Sequence, residues 1–171
     1  MRRITLFIVT IAMLMSCTGG AYKSTSDGVI VNVQNREENG PARVRLQIMS
    51  EGIVRVSQTP DRKFHDRNSL IILPDAQRET NFEVVDSEAS VGIKTSELYV
   101  TVNKTDGVVT FMDAKGNVIS KESEPTSFAP VSVTDTKGTT TGYTTINRFN
   151  TVPEEGLFGL GQHQSDQWNY K

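Results

Sequence analysis

Cysteine is nearly absent from this chain. The single one, Cys17, lies close to the first residue. A lone cysteine closes no disulfide within the chain, so stability must come from a packed core. Histidine is scarce too: His65 and His163 are the only two, and no His/Cys spacing suits zinc. A phosphate-cradling glycine loop and a nucleophile elbow are both missing. After the first sixteen residues no amphipathic helical pattern exceeds two turns. One-sided charge is also lacking. The chain has 18 basic and 20 acidic residues, scattered, for a formal net charge of −2. That balance gives no reason to expect a nucleic-acid partner. The expectation is a fold with no metal, no cofactor and no bound nucleic acid.

What is present begins with a targeting pattern. Arg2 and Arg3 precede an apolar run from Ile4 to Met15, interrupted only by Thr5 and Thr10. A basic start, a short apolar core and a small residue before the break are the parts of a secretory signal. The run is too short to span a bilayer comfortably. Leu14-Met15-Ser16-Cys17 resembles a bacterial lipobox, in which cleavage leaves Cys17 first and lipidated. Several acyl chains anchor stably where one is marginal. The expected location is therefore the bacterial cell envelope, exported and lipid-anchored, on the periplasmic or the outer-membrane face. Residues 1–16 read as the signal peptide and 17–27 as a flexible tether rich in Gly, Ser and Thr. Loss of the signal removes two arginines and no acid, which moves the formal charge from −2 to −4. The 155 residues that remain suffice for one domain with a real core.

From Val29 onward the chain reads as strands. Val29, Val31 and Val33 alternate with Ile30, Asn32 and Gln34. Val44, Leu46 and Ile48 alternate with Arg43, Arg45 and Gln47, predicting one buried and one wet face. Glu51-Gly52 is a turn into a strand over Ile53–Ser57, with Arg55 outward and Pro60 beyond. Asp61–Asn68 is a polar loop in which His65 reads as a solvated surface residue. Short strands are expected at Ser69–Leu73 and Phe82–Asp86. Four more, Val91–Thr95, Leu98–Asn103, Val108–Met112 and Val118–Lys121, are joined by turn chemistry at Ser96-Glu97, Asp106-Gly107 and Gly116-Asn117. This predicts a β-meander. Pro125–Thr141 reads as a long loop around a short Val131–Thr134 strand, and Thr140–Phe149 is again β-prone. Many short strands with few helices mean an all-β antiparallel β-sandwich over residues 28–171.

The most specific stretch is Glu154–Lys171. Gly156, Gly159 and Gly161 alternate with Leu157, Phe158 and Leu160, and a polar run with one large aromatic follows. Glycine at this density permits sharp bends and close backbone approach. Gln162 and His163 can hydrogen-bond a sugar hydroxyl, and Trp168 can stack on a sugar ring. The alternative is structural: Gln162 caps a strand end, His163 bonds to backbone and Trp168 packs on a neighbouring domain. A glycosidase needs two carboxyl groups facing each other across the scissile bond. No acid here stands in a context that marks such a pair. Asp106 and Asp113 are turn residues, and the adjacent Glu154 and Glu155 would point to opposite faces of a strand. Every acid therefore reads as structural or solvated.

The run GLFGLGQHQ followed by WNYK resembles the end of the N-terminal domain of glycoside hydrolase family 31, especially its bacterial α-xylosidase and α-glucosidase members. The resemblance extends over Val91–Ser120. Ile93, Thr95, Leu98, Val100 and Val102 match one strand pair of that domain. Gly107, Val109, Phe111, Asp113, Gly116, Asn117 and Ile119 match the next pattern. Gly52-Ile53-Val54-Arg55-Val56 is similar to its first characteristic strand. The resemblance implies a galactose-mutarotase-like β-sandwich placed before a catalytic (β/α)₈ barrel. It also implies retaining hydrolysis of an α-glycoside through a covalent glycosyl-enzyme intermediate. The family's nucleophile and acid/base are aspartates of the barrel, and neither motif occurs in this chain, so the chain alone is expected to be inactive. Its implied partners are its own barrel domain, an oligosaccharide or α-glycoside, and a membrane through the lipid anchor.

Two readings follow. One is the N-terminal part of an exported family 31 α-glycosidase, α-xylosidase-like and active in carbohydrate catabolism. The other is a free-standing carbohydrate-binding or structural lipoprotein without catalysis. The break within the glycine-rich motif favours the first. On that reading the barrel-facing surface is exposed in the isolated chain, and Leu157, Phe158 and Leu160 predict a tendency to aggregate.

Overall fold

The computed structural model describes residues 20–65, 78–158 and 169. They form eleven β-strands: β1 Tyr22–Thr25, β2 Gly28–Asn32, β3 Arg43–Ser50, β4 Ile53–Thr59, β5 Glu83–Asp86, β6 Ser90–Lys94, β7 Leu98–Asn103, β8 Val109–Asp113, β9 Val118–Lys121, β10 Ser127–Asp135 and β11 Gly138–Ile146. One sheet runs β1-β2-β3-β4 and a second β5-β6-β7-β8-β9, while β10 and β11 form a hairpin of their own. Every pairing is antiparallel. The described residues contain no helix. The all-β antiparallel sandwich read from the alternation is the observed architecture.

The core follows from the period of two. Val29, Val31, Val44, Leu46 and Ile48 from the first sheet meet Val91, Ile93, Val100, Val102 and Val109 from the second in one buried cluster. Full burial of such a side chain stabilises by roughly 1.5–3 kcal/mol. The other face of β3 is less wet than its charges suggest. Arg45 lies over the Phe64 ring at 4.5 Å, a cation–π contact. Gln47 Nε2 donates to Asp27 Oδ2 at 2.9 Å, and Arg43 donates to the Arg62 carbonyl. Each residue is half-buried as a result. Arg55 is exposed, as its position between Val54 and Val56 predicts.

The meander is where the turn residues place it, since β6 to β9 match the four expected strands to within a residue or two. Gly107 adopts φ +84° in the β7–β8 turn, and a Cβ there would lie 2.9 Å from Val33 Cγ2 and 3.0 Å from Pro41 Cγ. Glycine is needed at this position for both conformation and space.

Two expectations are corrected. Residues 17–27 do not all form a tether: Tyr22–Thr25 is strand β1, paired with β2 from Tyr22↔Val31 to Thr25↔Gly28. Thr25 Oγ1 donates to Asp27 Oδ1 at 2.8 Å and closes the turn, while Tyr22 packs against the core. Gly28, whose Cβ would fall 2.0 Å from the Leu46 carbonyl oxygen, lets β2 press onto β3. Pro125–Thr141 is not a long loop. It contains all of β10, which extends the short strand expected at Val131–Thr134, and the start of β11, nine residues each, paired from Ser127↔Ile146 to Asp135↔Gly138. Dense Ser and Thr suggested a loop, but the β-branched Val131, Val133, Thr139, Thr140 and Thr141 favour extended backbone. Gly138, at φ +127°, turns the tip. The expected strand Ser69–Leu73 lies outside the described residues.

Candidate functional site

The residues singled out from the sequence do not form a described site. Cys17, Gln162, His163 and Trp168 lie outside the described residues. The neighbouring Asn169 is described, and its Oδ1 accepts a hydrogen bond from the Leu157 backbone N–H at 2.9 Å. His65 has 82% of its side chain exposed and stands 3.9 Å from Asp61, which is the solvated position expected of it. Glu154 and Glu155 lie on a turn after β11 and not on a strand, with Glu155 N–H donating to the Val152 carbonyl at 3.1 Å. Asp113 is the turn residue it was read to be. It accepts from Lys115 N–H and from both the backbone and the side chain of Asn117, and these bonds hold its carboxyl below the ordinary range. Among the described residues no three or more of His, Cys, Asp and Glu are grouped so as to hold a metal.

One acid stands apart from the solvated ones. Glu122, just beyond β9, is only 2% exposed. Its Oε2 accepts from Val109 N–H at 2.7 Å, and its Oε1 accepts from Gln58 Nε2 at 2.8 Å, Asn147 Nδ2 at 3.0 Å and Thr126 Oγ1 at 3.4 Å. These donors come from β8, from β4 and from the two residues flanking the hairpin. One carboxyl thereby ties both sheets to the hairpin base. Desolvation raises its pKa, and the four donors only partly oppose that rise. Around it Val56, Phe111, Thr126, Phe128, Thr145 and Phe149 line an open groove of about 250 Å³, less than the roughly 300–1,000 Å³ of ordinary small-molecule sites. A catalytic carboxyl pair is not what this arrangement offers. With its lone pairs occupied by protein donors, Glu122 serves as a structural hub.

The hairpin carries the other unusual surface. Alternation puts Ala129, Val131 and Val133 on one face with Ile146, while Phe128 and Tyr143 share the opposite face in an edge-on ring contact at 6.2 Å. Val131, Val133, Ile146, Phe149, Val152, Leu157 and Phe158 are all exposed, Val133 to 60% and Phe158 to 70%. Exposed apolar side chains gathered on one segment mark an interaction surface.

The comparisons with known proteins agree with this geometry. The profile of the glycosyl hydrolase 31 N-terminal galactose mutarotase-like domain matches residues 43–169. The crystal structure of a GH31 α-xylosidase from Xanthomonas citri is similar at 34% identity and a TM-score of 0.72, over 83% of this chain and 15% of that one. A GH31 α-xylosidase from a soil metagenome, crystallised with xylose, shares the fold at 21% identity and a TM-score of 0.62, over 88% of this chain and 23% of that one. The chain thus spans less than a quarter of the length of either relative.

Proposed function

Because the chain belongs to glycoside hydrolase family 31, whose non-catalytic N-terminal galactose mutarotase-like domain it carries, we propose that it serves as the N-terminal module of an exported α-xylosidase-like enzyme. The observation that carries this reading is the match over residues 43–169 together with 34% identity to an α-xylosidase. In the reading, a catalytic barrel elsewhere in the full protein hydrolyses an α-glycoside with retention, in carbohydrate catabolism. The sandwich packs against that barrel and contributes to the rim of the substrate pocket. The exposed apolar residues of the hairpin and of Leu157-Phe158 support a surface that another domain covers. Gln162 and His163 are assigned to hydrogen bonding with sugar hydroxyls, and Trp168 to stacking on the sugar. Cys17 is assigned to lipidation after cleavage of residues 1–16, which anchors the enzyme at the cell envelope.

The test is hydrolysis of aryl α-xyloside and α-glucoside by the full product of the gene that encodes this chain, with the 171-residue chain as control. Activity is expected in the full product and not in the control, with α-xyloside preferred. A full product inactive on every α-glycoside tried would overturn the reading.

A further inference from the structure

Among the described residues, Glu122 is a buried carboxyl that no cation pairs with. Its partners are a backbone N–H, two side-chain amides and a hydroxyl. From β4 it is faced by Val56 and Gln58, from β8 by Val109 and Phe111, and from the hairpin side by Thr126, Phe128, Thr145, Asn147 and Phe149, none of which is charged. The nearest charges in sequence are Lys121, which is exposed, and the exposed pair of Glu124 with Arg148.

The cover over this carboxyl is thin. Residues 121–123 are held to 148–150 by Ser123 N–H to the Arg148 carbonyl and Asn150 N–H to the Lys121 carbonyl, each at 2.9 Å, with Glu122 and Phe149 bridged between them. Phe128 N–H reaches the Asn39 carbonyl at 2.7 Å. Beyond this, among the described residues, the hairpin pairs with itself alone, and residues 130–150 are exposed throughout. A two-stranded hairpin has little stability of its own, so the base is where it is secured or released.

We propose that Glu122 is a proton-binding latch: the hairpin base is a lid over its carboxyl, held closed when the group is protonated and loosened when it is ionised. The reason is solvation. An ionised carboxylate shut away from water is costly, and lifting the lid hydrates it. A protonated carboxyl has no such need, and its O–H can donate to the Thr126 hydroxyl, which rotates to accept it. Lid opening and proton loss are therefore linked.

The experiment is amide hydrogen exchange of the 171-residue chain across pH, corrected for intrinsic rates, with the Glu122 side-chain carbonyl carbon followed by NMR in the same samples. Ser123, Phe128 and Asn150 report on the lid, and Val102, buried in the central strand of its sheet, reports on global opening. Protection at the three lid amides is expected to stay below that of Val102. It should rise as pH falls through the Glu122 midpoint, by at most tenfold per pH unit, since one proton is bound. Glu122→Gln should abolish the rise. Flat lid protection across pH would overturn the latch, as would a midpoint unlike that of Glu122, or lid protection equal to that of Val102. The midpoint comparison uses the unaltered chain, so the test stands even if the variant fails to fold.

Discussion

Glu122 and Val109 are joined twice. Glu122 N–H donates to the Val109 carbonyl at 3.0 Å, and Val109 N–H donates back to the Glu122 side-chain Oε2 at 2.7 Å. The pair continues the β8–β9 ladder beyond Thr110↔Lys121, with a side-chain oxygen where a strand carbonyl would stand. Removing it leaves Val109 N–H and the Gln58 amide without their acceptor. Each buried donor so orphaned costs about 1–3 kcal/mol. Glu122→Ala is therefore expected to destabilise the domain by roughly 2–4 kcal/mol, within the range of broken buried networks, as measured by urea unfolding.

The pH dependence has two opposed parts. Glu122 has a folded pKa above its unfolded value. Its contribution is fully present below the ordinary glutamate value of about 4.3 and is lost as pH rises through the folded value. Asp113 has a lowered folded pKa. Its contribution is present above the ordinary aspartate value and is lost as pH falls through the folded one. Unfolding free energy is therefore expected to decline above the mid-fours and again in strong acid. Urea melts of Glu122→Gln across pH should show the first decline removed and the second kept.

Two glycines with similar dihedral angles should respond differently to alanine. Gly107 (φ +84°) is crowded by Val33 and Pro41, whereas Gly116 (φ +91°) has no atom within 4 Å of a Cβ. Gly116→Ala carries only backbone strain, about 1–2 kcal/mol. Gly107→Ala adds a clash inside the packed turn and should cost at least about 1 kcal/mol more. Paired thermal or urea melts read the difference directly.

The apolar hairpin face should make the isolated chain associate. Val131, Val133 and Ile146 lie on one face of a ribbon whose outer edges pair with no other strand among the described residues. Val133→Lys is expected to shift sedimentation velocity toward monomer and to change stability by no more than about 0.5 kcal/mol, as is usual for surface sites. Unchanged association in that variant would mean that the contact lies elsewhere.

The parts of the fold legible in the sequence are those encoded locally. Asp106-Gly107 and Gly116-Asn117 mark their turns by backbone chemistry, and the valines of β2, β3, β6 and β7 mark their faces by alternation. Tyr22–Thr25 was hidden because Ser, Thr and Lys carry little pattern, and only the pairing with β2 makes them a strand. The β10–β11 hairpin was legible in part, at Val131–Thr134 and from Thr140 onward, while its full length was hidden because its threonines resemble a loop in composition and a strand in backbone preference. Glu122 could not be found by local reading at all. Of its four donors only Thr126 is near in sequence; the others lie 64 residues away at Gln58, 25 away at Asn147 and 13 away at Val109. The proposed sugar contacts Gln162, His163 and Trp168 rest on residue chemistry and resemblance alone.

The central claim, that this sandwich works as one module of a larger envelope glycosidase, is tested most directly by the size of the native protein. An antibody against residues 28–158 should detect, in the membrane fraction of the source cells, one band several times the 18.9 kDa of this chain, which co-purifies with α-xyloside hydrolysis. A band at or just below 18.9 kDa, with no hydrolytic activity following it, would contradict the account.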